Sequence, residues 1–352
     1  MDKAIDNWPR RLFYLGIAVV MILGLLLAPA ITSQANAAEV SAKWSKVATP
    51  YTDDWTVAPG SDIVVGASIP GGTVIYVVGW GWNDNEIGTN YTARLWKSDD
   101  SGVTWDDLAD KVWLADSLPA SFKNQTLINT DKLYFNYVAC AQDDPDFMAV
   151  AIVNTVAALT SSDYCNMTQA VVISDDGGDN FYWTRAISDS AANSTLNCAF
   201  DMEISNVDKD GKHNIALGGV GTKNGTCPSG LVYRYESGGL VGGGWVDASN
   251  YDGWDNINDD PGGATDITSM AVTKVAFAPS FLADKTVLAV SHTNVTGGTG
   301  ATYLQSGTWG NTKVWNLKAG FAAAVLIVND SSIWSSVRGA AAGIALPTDY
   351  EG

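Results

Sequence analysis

Two short segments, 76 residues apart, share one pattern and constrain the fold more tightly than anything else in the chain. Ser98-Asp99-Asp100-Ser101-Gly102-Val103-Thr104-Trp105 and Ser174-Asp175-Asp176-Gly177-Gly178-Asp179-Asn180-Phe181 both read S-x-D-x-G-x-x-[WF]. Each follows a β-type run (Ala93 to Trp96, Ala170 to Ile173) and precedes another short strand-like run. The spacing predicts a hairpin turn. Ser and Asp side chains satisfy the turn amides, Gly supplies φ > 0, and the aromatic ring packs beneath. Ser98, Asp100, Gly102 and Trp105, with Ser174, Asp176, Gly178 and Phe181, are therefore expected to be structural staples and not catalytic groups.

The pattern resembles the Asp-box, or BNR, repeat of sialidase-like and sortilin-like β-propellers. The chain is similar in style to bacterial cell-surface proteins built from diverged BNR repeats. The resemblance implies an all-β chain, a β-propeller of four-stranded antiparallel blades. It also places the boxes between the third and fourth strands, on the outer rim and away from the central ligand face. With the boxes as anchors, four units can be traced. Their strands fall at 62–69, 73–81, 92–98 and 105–108; at 133–141, 147–155, 169–175 and 182–188; at 198–206, 213–221, 230–236 and 243–249; and at 271–277, 286–292, 301–306 and 313–317. The last two units carry decayed turns, at Tyr235 to Gly239 and at Ser306 to Trp309. Trp44 to Ala48 reads as a lone closing strand, and Gly343 to Tyr350 as the start of a fifth unit. The expectation is about four blades plus the start of a fifth, part of a larger propeller that is incomplete at its C-terminus.

Residues 1–37 read as a signal peptide, or as an uncleaved signal anchor. Arg10 and Arg11 precede an apolar run from Leu12 to Ile31, and Ala35-Asn36-Ala37 offers small residues for cleavage. Arg10 to Phe13 resembles a twin-arginine signal, but the apolar run favours the general secretory route. Removing 1–37 leaves 38–352 as the propeller, with 17 basic and 36 acidic side chains. An acidic chain repels phosphate backbones, so no nucleic-acid partner is expected. Any membrane contact is expected only through the N-terminal segment.

All four cysteines, Cys140, Cys165, Cys198 and Cys227, lie in the exported part, as a disulfide-bonded protein requires. Their equivalent positions in successive units favour Cys140–Cys165 and Cys198–Cys227. Seven N-x-[ST] sequons, at Asn90, Asn124, Asn166, Asn193, Asn224, Asn294 and Asn329, matter only in a host that glycosylates asparagine.

Chemistry is sparse. H-E-x-x-H, a phosphate-binding G-K-[ST] loop and a complete G-x-S-x-G elbow are absent. His213 and His292 fall on second strands as structural residues, and Gly219-Val220-Gly221 reads as close packing. Sialidase chemistry needs converging arginines, yet Arg94, Arg185, Arg234 and Arg338 are the only ones after residue 37. Three of these lie near box turns. No catalytic residue is assigned. Asp201 and Glu203 alternate to one face of an inner strand, so a glycoside hydrolase using inner-strand carboxylates stays open beside channel lining. Asn206, Asp208 and Asp210 match the first half of a calcium loop, but Leu217 stands where the twelfth-position carboxylate belongs. No cofactor is expected apart from that calcium. The acidic, Trp-rich stretch from Trp245 to Asp260 reads as rim core or as a sugar-stacking surface. The leading expectation is an exported, non-catalytic propeller at the cell surface, such as a surface-layer (S-layer) or envelope glycoprotein. Its partners would be envelope components, further copies of itself or a glycan. A glycan- or protein-binding module is the remaining alternative.

Overall fold

The computed structural model describes residues 55–57, 65–68, 72–83, 92–123, 132–155, 163–238, 244–255, 268–295, 299–320, 324–330 and 343–344. Trp44 to Ala48 lies outside them, as do residues 1–37 and the fifth-unit segment apart from Gly343 and Ile344. No helix among the described residues is long and apolar enough to cross a membrane.

Four antiparallel sheets follow one another along the chain. The first contains β1 (Trp55–Val57), β2 (Val65–Ser68), β3 (Ile75–Asn83), β4 (Thr92–Ser98) and β5 (Asp106–Asp107), with β1 and β2 both paired to β3. The second runs β6 (Lys132–Cys140), β7 (Met148–Thr155), β8 (Thr168–Ser174) and β9 (Tyr182–Trp183). In the third, β10 (Ser188–Asp189) precedes β11 (Ser194–Ile204), β12 (Asn214–Lys223), β13 (Thr226–Glu236) and β14 (Val246–Asp247). The fourth orders β15 (Ser269–Phe277), β16 (Thr286–Val295), β17 (Thr299–Trp309) and β18 (Lys313–Trp315), and adds β19 (Val325–Asp330) against β17.

These sheets stack face to face because their strands are apolar on both sides. Along β7, Met148, Val150 and Ile152 enter a layer shared with Tyr76, Val78 and Leu95 of the first sheet. The alternate residues Ala149 and Ala151 face the third sheet, whose Ile215, Leu217 and Tyr233 fill the space. The same exchange recurs one sheet later, where Ala216 and Val232 meet Val272, Val275 and Trp315. Small residues on one face against large ones on the next let twisted sheets pack closely. Four sequential, face-packed sheets, each built on four consecutive antiparallel strands with one extra partner in three of them, are blades of a β-propeller.

Three features depart from the sequence reading. First, β12 and β13 extend to a two-residue turn at Asn224-Gly225, with φ of 51° and 78°. That is the Asn-Gly hairpin signal, and it lengthens both strands beyond 221 and 230. Second, Ser306 to Trp309 is not a turn. It continues β17, and Gly307 pairs with Trp315 and Val287. Third, the cysteine pairing differs. Cys165 bonds to Cys227 across two sheets, with Cα atoms 5.9 Å apart, while Cys140 and Cys198 are free and buried. Cys165 precedes the third strand of its sheet and Cys227 is the second residue of β13, and face-to-face packing brings those two positions together. The inner-strand thiols instead point into apolar layers, Cys140 towards the first sheet and Cys198 beside Val153 and Met167.

Candidate functional site

The two box turns fold alike. Ser98 Oγ accepts from the Gly102 amide at 2.7 Å and donates to Asp100 Oδ1 at 2.8 Å. Asp100 in turn accepts from the Val103 and Thr104 amides and from Thr104 Oγ1. In the second box, Ser174 Oγ accepts from Gly178, and Asp176 accepts from the amide and side chain of Asn180. Gly102 and Gly178 hold φ of 85° and 92°, which L side chains adopt only with strain. A Cβ on Gly178 would also strike Leu108 Cδ1 at 2.6 Å. Phe181 is buried under its turn. Bonds from Thr104 and its amide hold the Asp100 carboxyl down at about 2. These residues act on backbone, not on a ligand.

A cavity of about 470 Å³ lies where β11 and β15 end. Glu203, Ser205 and Asn206 come from the end of β11 and its following link, and Lys274 and Phe277 come from β15. Phe281 adds an aromatic wall, and Gln142 reaches the cavity from the link after β6. Inner-strand ends from neighbouring sheets align here: the Val207 amide donates to Asp143 Oδ2 at 2.8 Å. The boxes sit at this same end, since the Gly177 amide donates to Asp146 O in the β6–β7 turn. The cavity therefore opens on the box end of the sheets, whereas the family resemblance implies boxes on the outer rim, away from the central ligand face.

Local backbone geometry aims the two inner-strand carboxylates. Register shifts between Leu196 and Cys198 and between Ala199 and Asp201 put bulges in β11. Gly219 of β12 passes one of them so closely that a Cβ would lie 2.1 Å from Cys198 O. This accounts for the Gly-Val-Gly run as close packing. Beyond the bulges, Met202 and Ile204 face the second sheet, and Asp201 and Glu203 face β15. Asp201 is buried. Its Oδ1 lies 3.0 Å from Lys274 Nζ, and its Oδ2 accepts from the Val275 amide at 2.8 Å. Burial pushes its carboxyl up, against the pull of the Lys274 ammonium. Glu203 is partly buried beside the same ammonium. Burial raises its carboxyl to about 7, reinforced by the charge of Asp201 and opposed by Lys274. Asp201 clamps two sheets, and Glu203 is poised to exchange a proton near neutrality.

Asn206, Asp208 and Asp210 fall in the β11–β12 link without converging. Asp208 Oδ1 accepts from the Asp210 and Lys212 amides, and Asp210 pairs with Lys209 at 2.7 Å. Among the described residues no cluster of three or more His, Cys, Asp or Glu is placed to hold a metal. The arginines stay apart: Arg94 pairs with Asp107 in the first sheet, and Arg234 pairs with Glu236 in the third. Arg338 lies outside the described residues. His213 bonds Ser205 O and stacks on Phe147, while His292 sits buried between Thr273 and Thr302 with its pKa pushed down to about 4 by burial. Trp245 is buried, donates to Thr184 Oγ1 and tilts against Tyr235, so it is core between the second and third sheets. Sequence reasoning missed Lys274. Its signal was a lone charge inside the apolar run Ala271 to Phe277, which demands a partner on the facing strand.

No protein-family model and no curated protein matches the chain. Solved structures are similar only in fold. An endo-arabinase from Bacteroides thetaiotaomicron is 14% identical over 80% of this chain and 83% of its own, with a TM-score of 0.32. A Trypanosoma rangeli sialidase bound to the inhibitor DANA is 9% identical over 72% of this chain but 37% of its own, at 0.35. An α-L-arabinanase of Penicillium chrysogenum, complexed with arabinobiose, is 11% identical over 72% and 65%, at 0.36. Likeness at this level carries no residue role to this chain.

Proposed function

We propose that the chain is an exported, non-catalytic β-propeller of the cell surface that works by binding and assembly, as a surface-layer or envelope protein does. In this reading the cavity takes a hydroxyl-rich ligand of the glycan class. The observation that carries it is the fate of Asp201. A hydrolase on this strand would need two carboxylates free to flank one bond, but Asp201 is spent on Lys274 and Val275. Among the described residues Glu203 is the one carboxylate lining the cavity. The ammonium and the Gln142 and Asn206 amides suit hydroxyl groups, and the edges of the buried Phe277 and Phe281 rings give the cavity an apolar floor. The Cys165–Cys227 bond supports an oxidising compartment.

Two measurements test this. Fractionation of producing cells should find the protein in the envelope or the medium; a cytosolic pool with reduced cysteines contradicts export. A glycan array should give binding that Lys274→Met or Asn206→Ala weakens at least tenfold; equal binding by the variants rejects the cavity as the site. One observation favours a second reading, a hydrolase. A carboxyl raised to about 7, as in Glu203, is suited to general-acid work.

A further inference from the structure

The sequons among the described residues gather at one end of the sheets, opposite the cavity, while Asn90 and Asn124 lie outside those residues. Asn166 closes the helical turn Asp163–Asn166 before β8, Asn193 precedes β11, and Asn224 forms the β12–β13 turn. All three are exposed, as are the hydroxyl-bearing residues two places on, Thr168, Thr195 and Thr226. They are also neighbours. The Asn224 amide donates to Asn193 O at 2.9 Å, and the Cys165–Cys227 bond ties the turn of Asn166 to the hairpin of Asn224. The fourth sheet repeats the arrangement in its register. Asn294 pairs with Gly300, and Asn329 pairs with Ala301, both at the start of β17. At the box end, the exposed turn asparagines Asn180, Asn206 and Asn311 all lack Ser or Thr two places on.

We propose that Asn166, Asn193 and Asn224 are acceptors for N-linked oligosaccharide, so that one end of successive blades is glycan-coated and the cavity end stays bare. Turns at strand ends suit transfer, because the amide stands clear of the sheet and the turn can enter a transferase site. In the step, the asparagine Nδ2 bonds to the anomeric carbon of a lipid-phosphate-linked oligosaccharide. The bond from that carbon to the phosphate oxygen breaks, lipid phosphate leaves with the electron pair, and the amide loses one proton to a base of the transferase. Asn193 and Asn224 share one small surface, so a chain on either one covers both. A coat there leaves the cavity end as the face for ligand or lattice contacts. The inference rests on the export half of the proposed function and not on the cavity.

The test is glycopeptide mapping of the protein recovered from the envelope of its own producing cells. Oligosaccharide is expected on Asn166 and on at least one of Asn193 and Asn224, with Asn180, Asn206 and Asn311 bare. Thr168→Ala should remove the first chain, and Thr195→Ala combined with Thr226→Ala the second, while each keeps the asparagine its turn needs. Bare asparagine at all three positions in exported protein overturns this inference alone. Protein confined to the cytosol overturns it together with the export reading.

Discussion

The box turns and the turns at the opposite end of the same sheets close in different ways. At the box end, a side chain reaches backbone a few residues away: Ser98 and Asp100 in one turn, Ser174 and Asp176 in the next, Asp208 in the β11–β12 link. At the other end, the holding contacts cross between distant segments, as Cys165–Cys227 and the Asn193–Asn224 contact do. Local closure leaves a motif in the sequence. Distant closure leaves only isolated cysteines and asparagines. The two ends also carry different features: the box end holds the cavity, whose walls are joined by the long-range Asp201–Lys274 and Asp143–Val207 contacts, and the opposite end holds the sequons among the described residues.

The largest effect should come from breaking the clamp beside the cavity. Asp201→Ala removes two bonds to a buried carboxylate, from the partly exposed Lys274 ammonium and from the Val275 amide, and should cost about 3–5 kcal/mol, read by chemical denaturation. At the opposite end, removing the disulfide by Cys165→Ser with Cys227→Ser should cost about 4 kcal/mol by the loop-entropy relation for its 62-residue separation. Hydrogen exchange in that double variant should speed up around the β12–β13 turn while the box turns keep their protection. A smaller loss, about 1–2 kcal/mol, is expected for Asp176→Ala, which frees the Asn180 amide and side chain. If that variant melted the far end as well, the two ends would not be independent.

A pH series sharpens the comparison within the cavity. Folding raises the Glu203 carboxyl from 4.5 to about 7, so the folded state favours its protonated form. The stability this contributes is complete below pH 4.5 and is lost as pH rises through 7. The stability of Glu203→Gln relative to the parent should therefore grow between pH 4.5 and 8. A difference that stays flat would mean that Glu203 is solvated.

Much of the blade architecture was legible. The box turns set the period, and alternating apolar residues place the sixteen strands of the four units within a few residues of where they lie. The β12–β13 boundary departs from the apolar pattern because Asn224-Gly225, with its two positive φ values, closes a hairpin beyond the last apolar residues. β10 adds to the edge strand β11, whereas β1 and β19 pair with the inner strands β3 and β17, and no periodicity distinguishes the three from links. Cysteine pairing depends on which sheets face each other at which end, and spacing along one chain does not encode that. Asp201 and Glu203 looked equivalent because they share a strand face. Lys274, contributed by the next sheet, makes one a clamp and leaves the other in the cavity.

Whether those two carboxylates serve structure or hydrolysis is decided by one measurement: release of reducing ends when the purified chain is incubated with a panel of polysaccharides. No release is predicted, for the parent and for Glu203→Gln alike. Release by the parent that Glu203→Gln abolishes would contradict the non-catalytic reading and make Glu203 the general acid of a glycoside hydrolase.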